Sequence, residues 1–166
     1  LADVQSGSVD LIEQVHKVLL SLEKIDREHH YLNTISRERL LADAVVLQKS
    51  PHKGPLAGLF ASVKDSICVR GVESTAGSAI LSGYVPPFDA TCVARGVAAG
   101  ALVVGKTAQD EFGFGAFAVN VGNGFRVPTN PLDQLRVCGG SSGGAAGLSA
   151  TADFFHVAYG ESTGGS

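Results

Sequence analysis

Beyond about residue 50, short apolar runs separated by glycine-rich turns replace the long helical periods of the N-terminal part of the chain. Short apolar runs that end at turn residues are typical of buried strands. A helical pattern over 89–99, ended by Gly100, lies between two of these runs. Because strands that alternate with helices indicate a layered sheet, we predict an α/β fold. The predicted strands are 59–64, 101–104 and 154–159.

Two amphipathic helices are predicted before this change, over 8–27 and 36–48. Ser8 is a suitable N-cap for the first helix. The arginines and glutamates of the second helix are expected to form a solvated face. We expect residues 1–50 to form an N-terminal helical arm that joins a core at residue 51. The residues predicted to face inward are Leu11, Ile12, Val15, Val18, Leu19, Leu22 and Ile25 in the first helix, and Leu40, Leu41, Ala44 and Leu47 in the second.

The composition disfavours several classes of function. A formal net charge of -3 provides no basic surface for a phosphate backbone, so we expect no binding to DNA. No apolar run approaches the roughly 18 residues of a membrane span, and no membrane contact is expected. The three cysteines lack the spacing of a zinc site or a disulfide framework, which favours the cytoplasm. The lack of methionine and the motif-like last residues predict that the chain is a fragment.

Two glycine-rich segments are candidate functional loops. Residues 139–144 read Gly-Gly-Ser-Ser-Gly-Gly and lead directly into small residues with the pattern of a packed helix. Residues 160–166 follow a predicted strand, where a turn can present backbone N–H groups to an oxyanion and a serine as a nucleophile. Each segment by itself also fits a simpler interpretation, a flexible linker for the first and an ordinary strand-ending turn for the second.

Lys64 stands at the end of an otherwise apolar strand, either as an exposed edge charge or as a buried functional amine. Burial disfavours the charged form of a lysine, and a general base must be neutral to accept a proton. Alternation along the strand directs Asp65 to the opposite face. None of the five histidines has a metal spacing or an aspartate placed near a serine motif, so a Ser-His-Asp triad is not expected.

The residue types at 100–107 match the P-loop pattern, but the secondary structure predicted around them does not. In a P-loop the strand precedes the first glycine, and the next four residues form the phosphate-binding loop. Here those four residues are Ala-Leu-Val-Val, which predict a strand, and Gly100 ends a helix. We therefore predict no nucleotide site at Lys106.

Taken in order, the motifs resemble those of the amidase-signature family over 55–166, with a weaker match in the N-terminal helices. The segment 110–112 is most similar to the A subunit of glutamyl-/aspartyl-tRNA amidotransferases, and 161–163 to archaeal or divergent forms of that protein. The resemblance implies a mixed central β-sheet flanked by helices, truncated here, with 51–166 as the first part of one catalytic domain. The motifs lie at 55–58, 63–65, 86–91, 105–107, 110–112, 129–131, 139–144 and 162–166.

The resemblance also implies a Ser-Ser-Lys site. The family's catalytic lysine falls on Lys64, its bridging serine, which follows a cis peptide bond, on Ser141, and its acyl-forming serine on Ser166. The segment between the two serine motifs is one residue longer than usual, and an alignment shifted accordingly makes Ser142 the bridge. Ser162 stands where many members have aspartate. The backbone groups of the oxyanion hole fall on Thr163, Gly164 and Gly165, together with Ser166.

The implied function is that of a glutamine amidohydrolase that supplies ammonia for converting Glu-tRNA(Gln) or Asp-tRNA(Asn) to the amide. Its partners would be the B and C subunits, which contact the tRNA and use ATP and Mg²⁺, whereas amide cleavage itself requires no cofactor. Two alternatives stay open, a free-standing amidase acting on small carboxamides and a non-catalytic fragment or interaction module. Substrate-selecting residues are expected beyond Ser166, so residues 1–166 do not decide between these functions. Because the sheet would lack strands and the pocket its far wall, residues 1–166 alone are expected to be inactive.

Overall fold

A computed structural model describes residues 2–51, 53–162 and 164–165. Two short 3-10 turns, Ala79–Leu81 and Glu111–Gly113, accompany the regular elements. No helix in these ranges combines the length and the apolar character needed to cross a membrane. The regular elements are α1 (Ala2–Ser6), α2 (Leu11–His29), β1 (Leu32–Ile35), α3 (Arg37–Lys49), β2 (Phe60–Lys64), α4 (Thr91–Ala98), β3 (Leu102–Thr107), α5 (Gly143–Thr151) and β4 (His156–Tyr159).

The four strands form one mixed sheet in the order β1-β3-β2-β4. β2 runs parallel to both β3 and β4, whereas β1 pairs with β3 in the antiparallel direction. The predicted α/β fold with a mixed central sheet is therefore confirmed. β1 was not predicted, and it lies between the two predicted N-terminal helices. The segment predicted as a helical arm thus also contributes an edge strand.

Helices cover both faces of the sheet. Because side chains alternate along a strand, Phe60 packs into the larger core cluster with α2, α3 and α5, whereas Val63 packs into a smaller one with Val93 of α4. β2 and β3 are buried along their full length, as parallel strands covered on both faces usually are. The predicted apolar face of α2 is confirmed at its buried positions, Leu11, Val15, Val18, Leu19 and Leu22.

The N-cap of α2 is Asp10, so the prediction of Ser8 is wrong. The Asp10 carboxylate accepts hydrogen bonds from the N–H groups of Ile12 (2.9 Å) and Glu13 (3.1 Å). The Ser8 hydroxyl instead donates to the carbonyl oxygen of Asp3 at 3.0 Å. A carboxylate near the positive end of the helix dipole also gains electrostatic stabilisation, which a hydroxyl lacks.

Arg39 of α3 does not belong to the predicted solvated face. Its guanidinium donates two hydrogen bonds to the Asp89 carboxylate, at 2.8 and 3.1 Å, and a third to the carbonyl oxygen of Arg70 at 2.6 Å. The Asp89 carboxylate also accepts from the Arg70 N–H at 2.7 Å. This bidentate pair of guanidinium and carboxylate, a geometry specific to arginine, attaches α3 to the segment that precedes α4.

The backbone of α5 lies in direct contact with neighbouring main chain, as its small residues predicted. A Cβ atom at Gly144 would lie 2.4 Å from the carbonyl oxygen of Tyr31 and 2.6 Å from the nitrogen of Ala108. A Cβ atom at Gly147 would lie 2.2 Å from the Tyr31 ring. Only glycine fits at these positions, so α5 is held close to the sheet.

Gly144→Ala is expected to destabilise the protein by at least about 2 kcal/mol, because the added methyl group meets rigid backbone and not a movable side chain. Urea unfolding followed by circular dichroism measures the loss. Ser149→Ala, at an exposed position of the same helix, is the control and should be nearly neutral. Equal stability of Gly144→Ala and the wild type would contradict the close approach of α5.

His156 of β4 is a partly buried imidazole held in its neutral form. Its Nε2 lies 2.9 Å from the Ser62 hydroxyl, and its Nδ1 is buried with no hydrogen-bond partner among the described residues. Burial lowers the pKa of His156 to about 4. The unfolded chain therefore binds an extra proton between about pH 4 and its ordinary value of about 6.5. This contribution to stability is complete above that window and declines as the pH falls through it.

We accordingly expect His156→Gln to weaken the loss of stability between about pH 6.5 and about pH 4.5, whatever its effect at neutral pH. Free energies of unfolding from urea titrations at several pH values provide the slope. His16→Gln removes an exposed histidine and should leave that slope unchanged. Identical slopes for His156→Gln and the wild type would show that His156 does not titrate differently in the folded state.

Candidate active site

The site lies where the three parallel strands end at one edge of the sheet. In the strand register Lys64 of β2 is opposite Thr107 of β3, and Val63 is opposite Tyr159 of β4. The segments that follow parallel strands meet at such an edge, which is the usual place for ligands in α/β proteins. Here they meet the loop that precedes α5.

The amine of Lys64 is completely buried at this edge, with 0% exposure, so Lys64 is not an exposed edge charge. Its Nζ atom lies 2.5 Å from the Ser141 hydroxyl oxygen. It also lies 2.8 Å from the carbonyl oxygen of Glu161 and 2.8 Å from one oxygen of the Glu161 carboxylate. The lysine therefore connects the loop before α5 with the segment after β4.

Ser141, and not Ser142, contacts the lysine. Ser141 is buried, and the peptide bond between it and Gly140 is cis. Its carbonyl oxygen accepts a hydrogen bond from the Asp110 N–H at 3.1 Å. The Ser142 hydroxyl instead donates to the carbonyl oxygen of Glu161 at 3.2 Å. The two serines thus have different partners in the same cluster.

Asp110 organises the loops on either side of Ser141. Its fully buried carboxylate accepts hydrogen bonds from the N–H groups of Ala118 (2.9 Å) and Asn120 (2.8 Å). A Cβ atom at Gly140 would lie 2.3 Å from the same carboxylate, so only glycine fits there. Because a buried carboxylate requires hydrogen-bond donors, Asp110 fixes the segment around residue 118 against the peptide bond that precedes Ser141.

A second buried polar cluster supports the end of β2. The Asp65 carboxylate forms an ion pair with Lys106 at 3.2 Å and accepts hydrogen bonds from Asn33 (2.9 Å) and the Thr75 N–H (3.1 Å). The Lys106 amine also donates to the Ser74 hydroxyl at 2.6 Å. Burial lowers the pKa of Lys106, and the charge of Asp65 opposes this change. Lys106 lies in β3, so the segment that matches the P-loop pattern is a strand, as predicted.

The segment predicted to form the oxyanion hole is described only in part. Thr163 and Ser166 lie outside the described residues. Gly164 is exposed, and Gly165 has a φ of 100°, a conformation that favours glycine. The Gly165 N–H donates to the Ser162 hydroxyl at 3.2 Å, so one predicted donor is engaged within the turn.

Three residues of the site were not predicted: Glu161, Asp110 and Ser66, whose hydroxyl lies 3.3 Å from the Glu161 carboxylate. Glu161 was quoted within its motif, but its contact with Lys64 depends on the register between β2 and β4. Asp110 was likewise noted only as part of a motif. Within the described ranges, no group of three or more histidine, cysteine, aspartate or glutamate residues is arranged to hold a metal ion. The chemistry that the contacts support is proton exchange between a lysine and a serine.

The sequence matches the amidase family over residues 13–166. It is 43% identical over 165 residues to the A subunit of glutamyl-tRNA(Gln) amidotransferase from Thermus thermophilus, covering 99% of this chain and 34% of that protein. It is 48% identical over 167 residues to the chloroplastic/mitochondrial form from Vitis vinifera, covering 100% of this chain and 30% of that protein. The chain thus spans about a third of the length of these relatives.

A solved structure agrees with this assignment. The A subunit of glutamyl-tRNA(Gln) amidotransferase from Thermotoga maritima superposes with a TM-score of 0.65 and 33% sequence identity. The superposition covers 82% of this chain and 28% of that one. The similarity therefore covers most of this chain and less than a third of that one.

Asp110→Asn is expected to cost about 2–4 kcal/mol, because one amide group would turn its own N–H donors toward the backbone donors of Ala118 and Asn120. Thermal unfolding measures this loss. Asp133→Asn is the matched control, since the Asp133 carboxylate also accepts a backbone N–H, from Leu135, but in an exposed turn. Losses of similar size in both variants would rule out a special role for Asp110.

Proposed function

Since the chain belongs to the amidase family, we propose that it carries the catalytic groups of a serine amidohydrolase, with Lys64 as base, Ser141 as bridge and Ser166 as nucleophile. The observation that supports this most directly is the 2.5 Å contact between the buried Lys64 amine and the Ser141 hydroxyl. In this proposal residues 1–50 are an arm and 51–166 are the first part of one catalytic domain.

The proposed reaction begins with proton transfer. A hydroxyl is a poor nucleophile until a base removes its proton. Neutral Lys64 takes the proton of Ser141, and Ser141 takes that of Ser166, whose oxygen attacks the amide carbonyl carbon. The proton then passes to the leaving nitrogen, the C–N bond breaks, and ammonia departs. Water attacks the resulting ester by the same relay and releases the acid.

The negative charge on the carbonyl oxygen requires N–H donors. We assign this role to the backbone of Thr163, Gly164, Gly165 and Ser166. Losing one such donor typically costs about 3–4 kcal/mol of transition-state stabilisation. The hydrogen bond from Gly165 to Ser162 means that a substrate oxygen would replace the Ser162 hydroxyl as the acceptor at this donor.

We further propose that glutamine is the amide and that the ammonia serves a tRNA-dependent amidotransferase. This part is supported by the names of the relatives, which are A subunits of glutamyl-tRNA(Gln) amidotransferases. B and C subunits would use ATP and Mg²⁺ to activate the acidic residue on Glu-tRNA(Gln) or Asp-tRNA(Asn). The net charge of -3 agrees with tRNA contacts made by those partners.

Ser166→Ala in the complete protein is expected to lower glutaminase turnover by at least about 10³-fold, and Lys64→Met by a similar factor, because both remove a member of one relay. Ammonia release in the presence of the B and C subunits is the measurement. Ser149→Ala removes an exposed hydroxyl and should retain full activity. Unchanged turnover in Ser166→Ala would refute the assignment.

The same assay separates the glutaminase from a free-standing amidase. A glutaminase that belongs to an amidotransferase should release ammonia from glutamine only when its partner subunits are present. Residues 1–166 alone should show no turnover. Rapid hydrolysis of small aliphatic or aryl amides by the isolated complete protein would instead support the free-standing amidase.

A further inference from the structure

The Lys64 amine has a full set of hydrogen-bond partners. Its amine has three close neighbours, the Ser141 hydroxyl, the Glu161 carbonyl oxygen and the Glu161 carboxylate. An ammonium group has three donors and no acceptor. Two of the neighbours can only accept, and the hydroxyl completes the set. The arrangement accommodates the ammonium form, with the hydroxyl as the third acceptor, and equally the neutral amine, whose lone pair would accept the proton of Ser141 while its two N–H groups donate to Glu161.

Glu161 supplies the charge that balances this lysine. Its carboxylate lies 2.8 Å from the Lys64 amine and 3.3 Å from the Ser66 hydroxyl. The Glu161 side chain is 39% exposed, whereas the lysine is completely buried. The turn at Gly113 passes over the carboxylate, since a Cβ atom there would lie 3.6 Å from it.

The other charged groups around this pair have partners of their own. Asp65 and Lys106 form an ion pair with each other. The Asp110 carboxylate accepts the backbone donors described above, and the Glu111 carboxylate accepts from the Ser78 hydroxyl at 2.6 Å. Among the described residues, Glu161 is the carboxylate that forms an ion pair with Lys64.

We propose that Glu161 is a positioning residue that stabilises the ammonium form of Lys64 and thereby sets the pH above which the site becomes active. This inference rests on the function proposed above. To act, Lys64 must first release one proton to solvent. Its free lone pair then accepts the proton of Ser141, while the remaining N–H groups stay bonded to Glu161. A nearby negative charge disfavours the first of these steps.

The charge of Glu161 is present throughout the neutral range. The hydrogen bond from Lys64 holds the pKa of the Glu161 carboxyl below its ordinary value, although partial burial opposes this. The carboxyl group therefore does not titrate together with activity. Its negative charge acts on Lys64 to the same extent over the whole neutral range.

The test is the pH dependence of kcat/KM for ammonia release by the complete protein with its partners, from about pH 5.5 to about pH 9.5. In Glu161→Gln the acid limb should move to lower pH by about one to three units, because the opposite charge is lost. Glu161→Asp keeps the charge and should restore most of the wild-type profile. Glu13→Gln removes an exposed glutamate paired with Lys17 at 2.7 Å and should leave the profile in place.

A second measurement does not depend on activity. In protein labelled with ¹³C at the lysine ε-carbon, Glu161→Gln should move the titration of the Lys64 signal to lower pH, with Lys64→Arg used to assign it. If the Lys64 signal shifts in Glu161→Gln but the wild-type complete protein with its partners shows no glutaminase activity, the inference is supported and the proposed function is rejected. An active Glu161→Gln protein with an unmoved acid limb and an unmoved signal would overturn the inference.

Discussion

The parallel pairing of β2 with β3 on one side and β4 on the other determines the whole site. It places Lys64 at the end of a strand that is buried on both faces, opposite Thr107 and beside the segment that leaves β4. A shift of one residue in this register would turn Lys64 to the opposite face, which is packed around Val63. The position of the amine therefore depends on the backbone hydrogen bonds that set this register.

Two buried carboxylates make that position specific. Asp65, the residue that follows Lys64, binds side chains of β1 and β3 and the backbone of the loop at Thr75. Asp110 binds the backbone of the loop beside Ser141. Each is fully buried and receives several hydrogen bonds, which offsets the cost of removing its charge from water. The polar clusters of Asp65 and Asp110 fix the segments around the lysine, whereas the apolar clusters hold the layers of the fold together.

The long helices and the central strands could be predicted because their apolar residues recur regularly over many positions. β1 could not, since Leu32–Ile35 is short and contains only one buried residue. The partner of Arg39 is 50 residues away, and no local pattern connects it with Asp89. The contact between Lys64 and Glu161 likewise depends on strand register across 97 residues. The order of the motifs placed Lys64 and Ser141 among the candidates, while their spacing in three dimensions came only from the fold.

The link between Arg39 and Asp89 has a consequence for how the protein unfolds. α3 belongs to the larger core cluster on one face of the sheet, and the segment after Asp89 belongs to the smaller cluster on the other. A layer built on few apolar residues opens easily when it stands alone. Because the guanidinium joins the two layers by a direct two-bonded contact, loss of the smaller layer also breaks a contact of the larger one. The link thus promotes cooperative unfolding, in which the support of Lys64 is lost in one transition and not layer by layer.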